Sequence, residues 1–244
     1  DMEFVYAGAK EPALKDISFC AMAGQTIGVI GGTGSGKSTL VNLIPRFYDA
    51  ASGQVLVDGT DVKEYSLDEL RDKTGVVPQK SVLFKGTLRD NMRWGKQDAS
   101  DEEIYRALDT AQAREFVDSK GEGLDLYIDQ GGHNLSGGQR QRLTIARALV
   151  RRPEILIMDD SASALDFATD ARLRKAIREN TGDMTVFIVS QRATTIKSAD
   201  TILVLDEGRL AGMGTHKELL KDCQVYREIC LSQLSKEEVE RDEQ

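Results

Sequence analysis

The 244-residue sequence predicts an α/β protein: a largely parallel sheet, an antiparallel β segment near the start, and an α-helical insert in the middle. Three observations carry this. Strand-sized apolar runs alternate with helical patterns. The first sixty residues instead place strand-like runs beside glycine-containing turns. A long middle stretch has its apolar residues at helical spacing.

Taken in order, "MEFVY" reads as a strand from Met2, and "KDISFCAM" and "QVLVDG" suit antiparallel neighbours. "TIGVIG", Thr26 to Gly31, is an unbroken apolar run and so a buried strand. "STLVNLI" follows it as a helix. "SDEEIYRALDTAQAREFVDS" opens on a capping box, Ser100 with Glu103, and sets Ile104, Ala107, Leu108 and Ala111 on one face. "GGQRQRLTIARALV" is a second helix, with Leu143, Ala146, Leu149 and Val150 aligned. Three more buried strands follow: "EILIMDD", "MTVFIVS" and "TILVLD". "THKELL" carries a further capping box, Thr215 with Glu218. The tail "SKEEVERDEQ" is charged throughout and reads as solvated helix or disorder. The resulting organisation is one domain: residues 1–85 and 153–230 as core with the β segment, 86–152 as the helical insert, and 231–244 as the charged tail.

Composition narrows the classes. Hydrophobic residues make up 40% and charged residues 30%, as in a folded soluble protein rather than a disordered one. The net charge of -8 argues against a nucleic-acid partner, whose surface is usually basic. No apolar run approaches the roughly 18 residues of a membrane span. Cys20, Cys223 and Cys230 match no metal or redox spacing and read as inert thiols in a reducing compartment. No stretch of the sequence reads as a signal peptide. The abrupt start in a strand suggests a domain cut from a longer polypeptide.

The first chemical motif is "GGTGSGKST", which fits G-x-x-x-x-G-K-[ST] and lies between a strand and a helix, as the motif requires. Gly31, Gly32, Gly34 and Gly36, with Thr33 and Ser35 between them, let successive N–H groups point into one concavity. Lys37 would reach the β- and γ-phosphates, Ser38 would ligate Mg²⁺, and Thr39 could donate to the α-phosphate side. The second motif is "LSGGQ": Leu135, Ser136, Gly137, Gly138 and Gln139. It precedes a helix and offers another small anion-binding N-terminus. Either both motifs grip one nucleotide, or they serve different nucleotides in a dimer.

The phosphate loop, "LSGGQRQR", an apolar strand ending in Asp159, and then "SALD", in this order, resemble the nucleotide-binding domain of an ATP-binding cassette (ABC) protein. The resemblance spans nearly the whole chain. It implies a P-loop NTPase (RecA-like) core, with ATP and Mg²⁺ as cofactors. It places Tyr6 on the adenine and makes Gln79, in "VVPQK", the sensor of Mg²⁺ and the γ-phosphate. It gives Asp159 a water-mediated role at the metal beside Ser38 and Gln79, and puts Asp166 in a loop that crosses to a partner. It also implies head-to-tail pairing with a second such domain, each nucleotide lying between one phosphate loop and the other "LSGGQ". "TGVVPQKSVLFKGTLRDNM" and the C-terminal half resemble exporters, which implies transmembrane partner domains and a location on the cytoplasmic face of a membrane.

Two positions depart from the family. Asp160 stands where a hydrolytic glutamate is usual, and Gln191, in "IVSQR", where the family usually has a histidine that holds the γ-phosphate and the attacking water. Asp is about one C–C bond shorter than Glu, and a displacement of about 1 Å can cost on the order of 10²-fold in rate. Gln191 can donate a hydrogen bond but carries no positive charge. The expectation is a site that holds Mg-ATP and hydrolyses slowly, with an intact signature completing the site of a non-identical partner. A homodimer with slow turnover is the alternative. A DNA-repair, chromosome-structure or translation ATPase fits less well, because no long coiled coil and no second cassette is present. "DQGGHN", with Gln130 where Glu is frequent, reads as a trait of the same asymmetric exporters. His133 and His216 read as surface residues, and Arg140 and Arg142 as the exposed side of the signature helix.

Overall fold

A computed structural model describes residues 1–161 and 164–243. In chain order the elements are β1 (Met2–Phe4), β2 (Leu14–Ile17), β3 (Thr26–Gly31), α1 (Lys37–Asn42), β4 (Leu56–Val57), β5 (Thr60–Asp61), α2 (Leu67–Lys73) and β6 (Thr74–Val77). Then come β7 (Gly86–Thr87), α3 (Leu88–Arg93), α4 (Asp101–Thr110), α5 (Arg114–Ser119), β8 (Tyr127–Ile128), α6 (Gly137–Leu149), β9 (Ile155–Asp159) and α7 (Phe167–Asn180). The chain closes with β10 (Thr185–Val189), α8 (Ala193–Ile196), β11 (Thr201–Asp206), β12 (Arg209–Gly214), α9 (His216–Asp222), α10 (Gln224–Leu231) and α11 (Lys236–Glu243).

The chain divides into two units, Asp1–Thr74 with Thr185–Gln244, and Gly75–Met184. In the first, the strand order is β12-β11-β3-β10. β3 pairs in parallel with β10 on one side and β11 on the other, and β12 returns antiparallel to β11. β3, β10 and β11 are buried almost end to end, which explains why their sequences run apolar without alternation. β1 and β2 form a separate antiparallel pair. Its register slips where Asp16 takes a positive φ of 53°. "QVLVDG" contributes only the two residues of β4, paired with β5.

In the second unit β9 lies beside β6. Of the helices between them, α3, α4 and α6 start on side-chain caps, and α5 does not. Ser100 and Glu103 form the predicted capping box of α4, and Thr87 with Asp90 caps α3 in the same way. The stretch predicted as one helix over 100–119 is two. Gln112 adopts φ 57°, and the Ala113 amide bonds back to the Leu108 carbonyl, which ends α4 before α5 begins. Ile104 and Leu108 are fully buried, so the predicted apolar face of α4 is the one that packs. Among the described residues no helix is long and apolar enough to cross a membrane.

The tail is the solvated helix of the two readings along most of its length, with Lys236, Glu237, Glu238, Glu240 and Arg241 exposed, but one side of it docks. Val239, the only apolar side chain of α11, is 1% exposed. Asp242 reaches both Lys197 Nζ and His216 Nε2 at 3.4 Å. His216 is correspondingly buried, and its Nδ1 meets the Tyr226 hydroxyl at 2.8 Å. The surface reading of His216 was therefore wrong: an N-terminal helix position is also where two later helices pack back. His133 is exposed, as expected.

Candidate nucleotide site

In the first unit the phosphate loop leaves the carboxyl end of β3. Two of its glycines are obligatory for different reasons. A Cβ at Gly31 would sit 2.2 Å from the Leu205 carbonyl oxygen of the neighbouring strand. Gly36 has φ 98° and closes against Leu14, so a side chain there would meet both strain and a clash. A Cβ at Gly32 or at Gly34 would meet nothing within 4 Å, so the outer rim of the loop is open. Lys37 begins α1 and is buried, its ammonium donating to the Gly31 and Gly32 carbonyls at 3.0 and 2.7 Å. The charge is thereby folded over the loop. Thr33 and Ser38 are exposed, and Ser35 is buried with its Oγ lacking a hydrogen-bond partner.

Tyr6 donates to or accepts from Thr39 Oγ1 at 2.7 Å, which ties the ring to the first turn of α1. Phe4 and Tyr48 meet it edge-on at 4.7 and 5.4 Å between ring centres. Tyr6 and Tyr48 are each about two fifths exposed, and this leaves a partly open aromatic surface beside the loop. Tyr48 had no separate signal in the sequence. It follows α1 in "RFYDA", and only the fold carries it back to Tyr6. Gln191 lies 160 positions beyond Gly31 in sequence. Because Val189 is in register with Val29, the segment after β10 emerges beside the phosphate loop. Gln191 is exposed there.

In the second unit Gln79 follows β6 and Asp160 follows β9. The Gln79 amide donates to Asp160 Oδ2 at a long 3.4 Å. Asp159 closes the strand, half-buried. Asp160 turns out of it with φ 45°, a left-handed conformation that Asp adopts more readily than Glu. Ser136 caps α6: its Oγ accepts from the Gln139 amide at 3.2 Å, and Gln139 Oε1 accepts from the Ser136 amide at 3.0 Å. The signature side chains thus brace one another, and Gly137 and Gly138 keep the helix end bare. Leu135 is buried beneath it.

The same helix positions the segment before Asp166. Gln141, 2% exposed, accepts from the Ala164 amide at 3.2 Å. Sequence reasoning missed Gln141, although a glutamine among the arginines of "RQRL" that turns inward must find a partner. Asp166 itself caps α7. The Thr169 amide and hydroxyl bond to its carboxylate at 2.9 and 2.8 Å and hold it below the usual carboxylate range. Ser163 of "SALD" lies outside the described residues.

Arg140 and Arg142 are not simply exposed, which corrects the sequence reading. Arg140 Nη1 donates to the Leu135 carbonyl at 2.7 Å, and Arg142 Nη1 to that of Gln112 at 2.6 Å. The Arg142 guanidinium also lies 4.9 Å from the centre of the Phe116 ring. Both use charge to satisfy loop carbonyls around the start of α6.

A glycine-lined phosphate loop at the carboxyl end of a parallel strand, with a buried lysine and an aromatic platform, defines a nucleotide-binding α/β domain. The particular family follows from comparison with known proteins. The model of the ABC transporter family matches residues 14–163. An uncharacterized ABC transporter ATP-binding protein of Mycobacterium tuberculosis is 49% identical over 233 residues, 94% of this chain and 40% of that protein. The ATP-dependent lipid A-core flippase of Haemophilus influenzae is 42% identical over 236 residues, 96% of this chain and 40% of the flippase. The structure of a bacterial Atm1-family ABC exporter with ATP bound superposes with a TM-score of 0.91 at 37% identity, covering 96% of this chain and 41% of that one. The chain belongs to the ABC transporter family, as an ATP-binding domain of the exporter type. It spans about two fifths of the length of these relatives.

Proposed function

We propose that this domain binds Mg-ATP at a slowly hydrolysing site, and that it lends its signature to the site of a second, non-identical ATP-binding domain. The observation that carries this reading is the pair Asp160 and Gln191. The Gly31–Thr39 loop, Tyr6, Gln79 and Asp159 keep the chemistry of binding. At the two remaining positions the side chains are one methylene short and uncharged. Asp160, turned away from its strand and held by Gln79, makes a poor orienter of water whatever its basicity.

The residue types that the family resemblance assigns to Mg²⁺ suit it by their donor chemistry. The donors are a hydroxyl (Ser38), an amide (Gln79) and a carboxylate (Asp159, through water), all hard oxygen groups, and Mg²⁺ takes few protein ligands because nucleotide phosphates and water supply the rest. When bound, the ion neutralises phosphate charge. Lys37 does the same from its side and orients the β- and γ-phosphates. Tyr6 stacks on the adenine.

The helical stretch 86–152 acts as the arm that presents Leu135–Gln139 to the partner, and Asp166 lies on the side that crosses to it. Coupling to transmembrane domains at the cytoplasmic face of a membrane would use an apolar surface of the second unit. Phe84 and Trp94 meet there at a tilt, ring centres 4.8 Å apart, and are both exposed, Trp94 to 68%, with the exposed Val82 two positions before Phe84. ATP use would then drive export.

The test is single-turnover hydrolysis by the purified chain. Asp160→Glu with Gln191→His should raise the rate at least about 10-fold if distance and charge are limiting. No increase, or a wild-type rate already in the range of a fast transporter ATPase, would sink the degenerate reading. The well-formed cap of the signature also suits a second reading, a homodimer with slow turnover. Analytical ultracentrifugation with ATP separates the two: a tight homodimer that hydrolyses favours the second.

A further inference from the structure

We propose that Gln233, in the turn after α10, is a positioning residue for the Gln191 loop, so that the C-terminal helices set how this domain tells ATP from ADP. The proposal rests on the reading of Gln191 as the γ-phosphate contact. Gln233 uses both ends of its amide on that loop. Its Nε2 donates to the Gln191 carbonyl at 2.7 Å, and its Oε1 accepts from the Ala193 amide at 2.9 Å. One planar side chain therefore brackets Arg192 and fixes the backbone on both sides of the turn between β10 and α8. The near side of the loop is set by Ser190, whose Oγ accepts from the Arg192 amide at 3.0 Å.

A second contact holds the far end of the same segment. Lys197, just past α8, reaches Asp242 of α11, and Asp242 also meets His216 of α9. His216 is in turn bonded to Tyr226 of α10. The tail thus grips residues 191–197 at both ends and is itself anchored by a buried aromatic pair and by Val239. A loop left alone would pay backbone entropy to hold one conformation when nucleotide binds. A loop already clamped has less to lose, and its side chain meets the phosphate from a fixed base.

Gln233 and Gln191 are both exposed, so substitutions should leave the core intact. The experiment measures three quantities on the purified chain: hydrogen exchange of the Ala193 amide, the thermal midpoint, and the ratio of ADP to ATP dissociation constants with Mg²⁺. For Gln233→Ala, exchange should speed up at least 10-fold and the ratio fall at least fivefold, with the midpoint within about 2 °C. Gln233→Glu keeps the acceptor for Ala193 and loses the donor to Gln191. It should retain the protection and fall between wild type and Gln233→Ala in the ratio. Gln191→Ala is the reference for loss of the phosphate contact. Unchanged Ala193 exchange in Gln233→Ala overturns the clamp. Faster exchange with an unchanged ratio, while Gln191→Ala lowers it, overturns the positioning role but not the reading of Gln191. An unchanged ratio in Gln191→Ala itself overturns that reading, and the positioning role with it.

Discussion

Tyr6 shows what a single residue can and cannot say. Its place just after an early strand gives it no chemistry of its own; the ring matters because Phe4 and Tyr48 brace it and Thr39 holds its hydroxyl. The two parts of the side chain make separable contributions. Tyr6→Phe keeps the ring and should change ATP affinity less than about 3-fold. If the ring stacks on adenine as proposed, Tyr6→Ala should remove about 1–3 kcal/mol, and affinity should drop by roughly 5- to 150-fold. Fluorescence titration with an adenine nucleotide distinguishes the two. Equal losses in both variants would mean that the hydroxyl, not the ring face, carries the contact. The loop residues were legible because glycine and lysine at fixed offsets permit few alternatives. Tyr48, Gln141 and Gln233 were not, because a lone tyrosine or glutamine takes its role from whatever the chain brings beside it.

At the scale of elements, the capping boxes at Ser100 and Thr215 were readable because the bonds they make are local. The break between α4 and α5 was not, since nothing in "DTAQAREF" announces that Gln112 will turn left-handed. The docked side of the tail was missed for a related reason. A helix of charged residues with one valine looks solvated until Val239 and Asp242 are seen to dock on α9 and α10. That docking has a pH signature. Burial pushes the His216 imidazole below its ordinary pKa, against the opposing pull of the Asp242 carboxylate. The unfolded chain therefore binds the proton more readily, near pH 6.5. Stability from this group is present above that pH and is lost as pH falls through and below it, at up to about 1.4 kcal/mol per pH unit. His216→Gln should flatten the stability profile between pH 7 and 5 relative to wild type in urea unfolding. Parallel profiles would show that the ring is already free to protonate in the native state.

At the scale of the molecule, nucleotide binding and folding are linked. Ligand that binds only the native state stabilises it by about 2.7 kcal/mol at a hundred times the dissociation constant. ATP with Mg²⁺ should raise the thermal midpoint. Chelating Mg²⁺ should reduce that rise, because phosphate charge then lies uncompensated on the loop. Lys37→Ala should abolish most of it, since the ammonium held over Gly31 and Gly32 is lost. A full shift in Lys37→Ala, read by differential scanning calorimetry, would contradict the assignment of the loop as the phosphate site.

The sequence by itself determined the α/β class, the phosphate loop, the signature and the two altered positions, Asp160 and Gln191. These are matters of residue type at short, fixed spacing, where backbone geometry leaves little choice. Only the tertiary structure decided which distant residues meet. The in-register parallel pairing of β3 with β10 brings Gln191 out beside Gly31. Gln79 reaches Asp160 across 81 positions, and α10 and α11 fold back so that Gln233 and Asp242 hold the segment after β10. Such contacts depend on packing between elements, and a one-residue difference in register would remove them without changing any local pattern.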